Sequence, residues 1–165
     1  MIATTPKLYS LSYTELKTYI LALAFVAGNI ILPQVCHMIP KGGFIFLPIY
    51  FFTLIASFKY GWRVGLLTAI LSPMLNHLLF GMPPLAVLPA ILTKSLVLVV
   101  AASIAAHLFK RTSLLILLGV VLSYQVVGTA IEWAMVKDLA LAVQDFRIGL
   151  PGMAIQIIGG YLLIR

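Results

Sequence analysis

Acidic side chains are almost missing from this chain. Glu15, Glu132, Asp138 and Asp145 are the only four among 165 residues. No two of them stand three or four positions apart, so the paired carboxylates of acid–base chemistry and the oxygen cage of a hard metal lack their donors. Cysteine is nearly as scarce. Cys36 stands alone, which excludes an internal disulfide. Its neighbour His37, read as part of the same loop, does not complete a metal site, because two adjacent residues make a poor ligand set. Charged residues reach only 9% of the chain, against roughly a quarter in a soluble domain. Such a chain cannot clothe a water-facing surface. Reaction motifs are missing too: no GxxxxGK[ST] phosphate loop, no HExxH and no GxSxG. The chain therefore does not hydrolyse ATP by itself, and it reads as a non-enzyme with neither cofactor nor metal.

What is present is apolar. Hydrophobic residues make up 62% of the chain, with a mean hydropathy of +1.13. The expectation is one all-α integral membrane domain over residues 1–165. A span needs about 20 apolar residues, and six are read: Glu15–Val35, Phe44–Phe58, Trp62–Phe80, Leu85–Leu108, Ser113–Val136 and Phe146–Ile164. The second is short for a full crossing. Breakers mark the connections, at Pro40–Gly43, Lys59–Gly61, Gly81–Pro84 and Lys110–Thr112. No cleaved leader is expected, because the first apolar run begins near Tyr19 and further spans follow.

The net charge of +7 invites a nucleic-acid reading, but the basic residues are scattered between apolar runs. That pattern fits membrane topology instead. With the N-terminus inside, Lys7, Lys17, Lys59, Arg63, Lys110, Arg111 and Arg165 fall on the cytoplasmic side. Lys41, Lys137 and Arg147 fall outside, and Lys94 lies within a span. The positive-inside rule thus predicts a six-helix bundle with both termini cytoplasmic and the loop Gly81–Pro84 facing outward.

Polar residues then gather on one side. At about 1.5 Å per residue, Asn76 and His77 lie roughly 6–8 Å below the outer end of the third span. Glu132 lies at similar depth in the fifth, and Lys94 about 14 Å into the fourth, near the midplane. Asn29 falls in the outer third of the first span, and Asp145 and Arg147 at the outer mouth of the sixth. Ionisable groups in hydrocarbon cost several kcal/mol, so they face a cavity or one another. Three stripes agree with this. Gln125, Gly128, Thr129 and Glu132 share one helical face. So do Gly149, Gly152, Gln156 and Gly160, and so do Gly65, Ala69, Ser72 and Asn76. Pro73 is expected to kink the third span by freeing the Ala69 carbonyl. Trp62, Tyr124 and Trp133 read as interface anchors or packing, with Trp133 also placed to stack on a flat ring.

The segments "LPIY", "KYGWRVGLLTAILSP", "LLFGMPP" and "LPA", with the size and the six apolar runs, resemble the substrate-binding S components of energy-coupling factor (ECF) transporters. The resemblance extends from about Ile39 to Arg165. It implies a six-helix protein of a prokaryotic cell membrane that captures a vitamin or related micronutrient from outside. It also implies partners: a membrane coupling subunit and two cytoplasmic ATPases. Family members dock through small residues of the first helix, and Ala24 and Gly28 hold that spacing here. Family ligand sites use the outer ends of helices four to six, which here carry Lys94, Gln125, Glu132, Trp133, Asp145 and Arg147. Of these, Lys94, Gln125, Glu132, Trp133 and Arg147, with Asn76 and His77 from the depth estimate, are the candidate substrate contacts. Lys94 or Arg147 would meet a carboxylate or phosphate, and Glu132 an amine or ring N–H. Lys94 and Glu132 also read as a structural ion pair. Two other functions fit the composition: a membrane scaffold without ligand, and a self-sufficient facilitator.

Overall fold

The computed structural model describes residues 5–165, and these are mostly helical, with no β-strand among them. Helix α1 runs Leu16–His37 and so includes Cys36 and His37. A short α2, Gly42–Phe46, leads through a 3₁₀ turn at Pro48–Tyr50 into α3, Phe51–Tyr60. Then come α4, Trp62–Phe80, α5, Leu88–Phe109, and α6, Leu114–Val136. Two short helices, α7 (Leu139–Ala142) and α8 (Gln144–Ile148), precede α9, Leu150–Ile164.

Five segments are long and apolar enough to cross a membrane: α1, Gly42–Tyr60, α4, α5 and α6. The apolar α9 is shorter, at 15 residues. Large apolar side chains stay exposed along the outside of the bundle, among them Ile20, Leu23, Leu79, Val100, Val126 and Leu162. In water such a belt would drive aggregation; in lipid it is the solvated surface.

Three of the expected spans have different limits, each for a local reason. The second is not one helix. Pro48 has no N–H to donate, and Leu47 adopts a left-handed backbone (φ +46°), so the chain turns between α2 and α3. The sixth is broken at Gly149, with Pro151 in the first turn of α9. The fourth starts at Leu88 rather than Leu85. Lys94 therefore sits six residues, about 9 Å, into its helix.

Segment Gly42–Tyr60 is the most enclosed of the five. Leu54, Ala56 and Phe58 are fully or almost fully buried, and the core around them includes Leu98, Leu117, Val121 and Tyr124. Two of its hydroxyls are satisfied along the helix: Thr53 donates to the Ile49 carbonyl at 3.2 Å and Ser57 to that of Thr53 at 2.7 Å. Gly65 admits α4 against it, since a Cβ there would stand 2.9 Å from Ser57 Cα. Tyr124 seals the core from α6 by donating to Gln156 Oε1 at 2.9 Å.

Candidate functional site

The C-terminal ends of α1, α4 and α6 and the N-terminal turns of α5 lie at one end of the bundle, together with α2, α7 and α8. They enclose a cavity of about 330 Å³, a volume in the range of small-molecule sites. Its walls are mostly apolar: Pro33, Phe44, Leu47, Tyr50, Pro83 and Ile91 belong to them, beside Asn76, Lys94, Glu132 and Asp145.

A proline on a neighbouring helix explains why an asparagine stands at position 76. Pro33 lies inside α1. Lacking an N–H, it leaves the Asn29 carbonyl, four residues earlier, without its helical donor. Asn76 Nδ2 supplies that donor from α4, at 2.9 Å, and also reaches the Ser72 carbonyl at 2.9 Å. Both partners only accept, so the amide nitrogen must face them. The Asn29 side chain completes the link. Its Nδ2 donates to Thr53 Oγ1 and Ser72 Oγ, both at 3.1 Å, and its Oδ1 accepts from the Phe52 N–H at 3.3 Å. Helices α1, α3 and α4 are thereby fastened together beneath the cavity. Asn76 Oδ1 is left buried without a hydrogen-bond partner, on a residue that lines the cavity.

The charges converge on Lys94. Its ammonium lies 2.6 Å from Glu132 Oε2 and 2.6 Å from Asp145 Oδ2, bringing together α5, α6 and α8. The lysine is 2% exposed. Gly128 makes the approach possible, because a Cβ there would stand 2.6 Å from Lys94 Cγ. The contact to Asp145 is a hydrogen bond. The contact to Glu132 is an ion pair outside hydrogen-bond geometry, so Oε2 keeps an unused acceptor.

The remaining expected contacts sit elsewhere. His77 is half-buried and faces the loop Gly81–Pro84, with Nδ1 2.8 Å from the Pro83 carbonyl. That carbonyl can only accept, which places the proton on Nδ1. Gln125 is fully buried in α6 with both amide atoms unpartnered, and it does not line the cavity. Trp133 is half exposed on the outside of α6, and Arg147 is exposed on α8; neither lines the cavity. On α1, Ala24 is exposed, while Gly28 lies against the Phe52 ring. Among the described residues no group of three or more His, Cys, Asp or Glu is placed to hold a metal.

The cavity also has walls that sequence reading did not single out. Phe44, Tyr50 and Pro33 line it, and so does His37, considered above only for a metal. Tyr50 packs on Tyr124 with ring centroids 5.3 Å apart. For Pro33 a signal was available: a proline four residues after Asn29, within one apolar run, announces an orphaned carbonyl. For Tyr50 and Phe44 none was, because both sit in an apolar stretch where every position looks alike.

A second cavity, of about 430 Å³, opens at the opposite end, beside Tyr9, Gly61, Ser103, His107 and Lys110. One continuous hydrophobic core separates the two. Compared with known protein families, curated proteins and solved structures, the chain matches none.

Proposed function

We propose that this chain is the substrate-capturing S component of an ECF-type importer, embedded in a prokaryotic cell membrane as six spans with both termini cytoplasmic. In this reading α9 is the sixth span, and the cavity under Gly81–Pro84 opens to the outside. One observation carries the reading. A small-molecule-sized cavity with buried charged groups, Lys94, Glu132 and Asp145, occupies one end of an apolar-belted bundle.

The division of chemistry fits capture. Apolar walls take up the body of a small molecule, and a few placed polar groups orient it. Beneath them the layer of Leu54, Leu98 and Val121 is closed, with all three fully buried. That closure favours a binding subunit over a facilitator, which needs a polar path through both halves. Release toward the cytoplasm then requires the partners, a membrane coupling subunit and two ATPases. The exposed α1 face around Ala24, with Gly28 behind it, is the docking surface in this reading.

Native mass spectrometry of the purified protein tests the proposal. The expected result is a retained vitamin-sized mass in the wild type and its loss in Glu132→Gln, with that variant still monodisperse. Lys94 keeps Asp145 in this variant, so the fold is not deprived of its ion pair. No retained mass in the wild type, with stable capture of membrane partners, would support the scaffold reading instead.

A further inference from the structure

The cavity floor carries an unbalanced charge. One ammonium, Lys94, stands between two carboxylates, Glu132 and Asp145, each 2.6 Å away. Their formal charges add to −1. The carboxylate side chains are 15% exposed and the lysine side chain 3%, so bulk water screens them poorly. Lys41, Lys137 and Arg147 lie at the same end, but all three are exposed, where screening makes a charge count for little.

Acceptor capacity stands beside this charge. Asn76 Oδ1 is buried without a hydrogen-bond partner, and Glu132 Oε2 meets only the Lys94 ammonium, outside hydrogen-bond geometry; both residues line the cavity. Two donors beside them are already engaged. Asn76 Nδ2 holds two backbone carbonyls, and the Lys94 ammonium is held between the two acids. An anion approaching Lys94 would meet Glu132 and Asp145 at close range. Tyr50 and Phe44 add aromatic surface to the same cavity, and ring faces attract cations.

Building on the capture reading, we infer that the ligand is a small organic cation with N–H donors, such as a protonated amine or a positively charged nitrogen heterocycle carrying an amino group. Its charge neutralises the Lys94–Glu132–Asp145 cluster. Its N–H groups meet Glu132 Oε2 and Asn76 Oδ1, and its apolar body lies against Tyr50 and Phe44.

The test uses the purified full chain in nanodiscs and three probes built on one indole ring: tryptamine (cation), tryptophol (neutral) and indole-3-propionate (anion). Calorimetry is expected to show the cation binding at least about tenfold more tightly than the other two, the size of one charge-assisted hydrogen bond. In Glu132→Gln and in Asp145→Asn the cluster is formally neutral, and that preference is expected to fall to near unity. A cluster that serves structure alone predicts a lower melting temperature in these variants with the probe ratio unchanged, and that result overturns the inference. So does preference for the carboxylate, equal binding of the three, or no binding at millimolar concentration. The capture reading is judged separately. A retained anionic or neutral compound in native mass spectrometry leaves capture standing and sinks only the cationic ligand.

Discussion

Asn76 performs two tasks with one amide. Its nitrogen replaces the donor that Pro33 removes from α1, and its oxygen stays buried and unpartnered on a cavity-lining residue. A plain alanine scan would confuse the two, because losing the nitrogen orphans the Asn29 carbonyl at a cost of about 1–3 kcal/mol. Pro33→Ala separates them, since the alanine brings its own N–H. Asn76→Ala is expected to destabilise the protein markedly less in the Pro33→Ala background than in the wild type. The coupling expected from thermal unfolding in detergent is about 0.5–3 kcal/mol. Equal losses in both backgrounds would show that Asn76 does not stand in for the missing donor. His77 works differently. Its Nδ1–H holds the Pro83 carbonyl, so it positions the loop Gly81–Pro84. His77→Phe keeps the bulk of the ring and removes the donor. It is expected to speed protease cleavage within Gly81–Pro84, read by limited proteolysis in nanodiscs.

Between elements, close approach depends on which glycines meet backbone. A Cβ at Gly152 of α9 would overlap the Phe46 carbonyl and stand 2.9 Å from that of Ile45. Neither is a movable side chain, so α2 and α9 would have to part. Gly119, in α6, has nothing within 4 Å of its would-be Cβ. The two substitutions therefore have opposite expected signs. Gly152→Ala lowers stability by about 1–3 kcal/mol, as overpacking does. Gly119→Ala raises it by about 0.5–1 kcal/mol through helix propensity. Unfolding midpoints in one detergent would decide, and a neutral Gly152→Ala would mean that α2 and α9 are not held in contact. Because α2 carries Phe44 into the cavity wall, Gly152 also bears on the shape of the site.

Across the whole molecule the two ends differ in kind. One end holds the Lys94 cluster and its cavity. The other gathers Lys59, Arg63, Lys110 and Arg111 around the N-terminal segment. There Tyr9 N–H donates to the Lys59 carbonyl at 2.8 Å, Tyr9 stacks on Tyr60, and Arg63 reaches the Leu11 carbonyl at 3.3 Å. Lys59 Nζ donates to the Leu163 carbonyl at 2.8 Å, in the last turn of α9. The positive-inside rule predicts that this basic end faces the cytoplasm. Cysteine labelling in intact cells checks that, starting from Cys36→Ala. Leu85→Cys, exposed in the loop between α4 and α5, is expected to react with an impermeant maleimide directly. Arg111→Cys is expected to react only after permeabilisation. The reverse pattern would invert the protein and place the cavity inside the cell.

Helicity and a lipid environment follow from composition alone, because hydrophobicity acts residue by residue and needs no knowledge of neighbours. The inward stripes were legible for the same reason. Gly65, Ala69, Ser72 and Asn76 repeat at the helical period, and all four are buried in α4. Breaks inside an apolar run were harder to read. Pro48 and Pro151 mark the two breaks locally, but the seating of Leu47 against Gly149 appears only in the fold. Periodicity assigns a residue to a face of its own helix; it does not say which other helix that face meets. That Lys94 lies between Glu132 and an acid 51 positions later, and that Gly128 leaves room for its stem, was settled only by the packing of α5 against α6 and α8. Four carboxylates were plain in the chain. The excess negative charge at the cavity floor came from folding, which set two of them against one lysine.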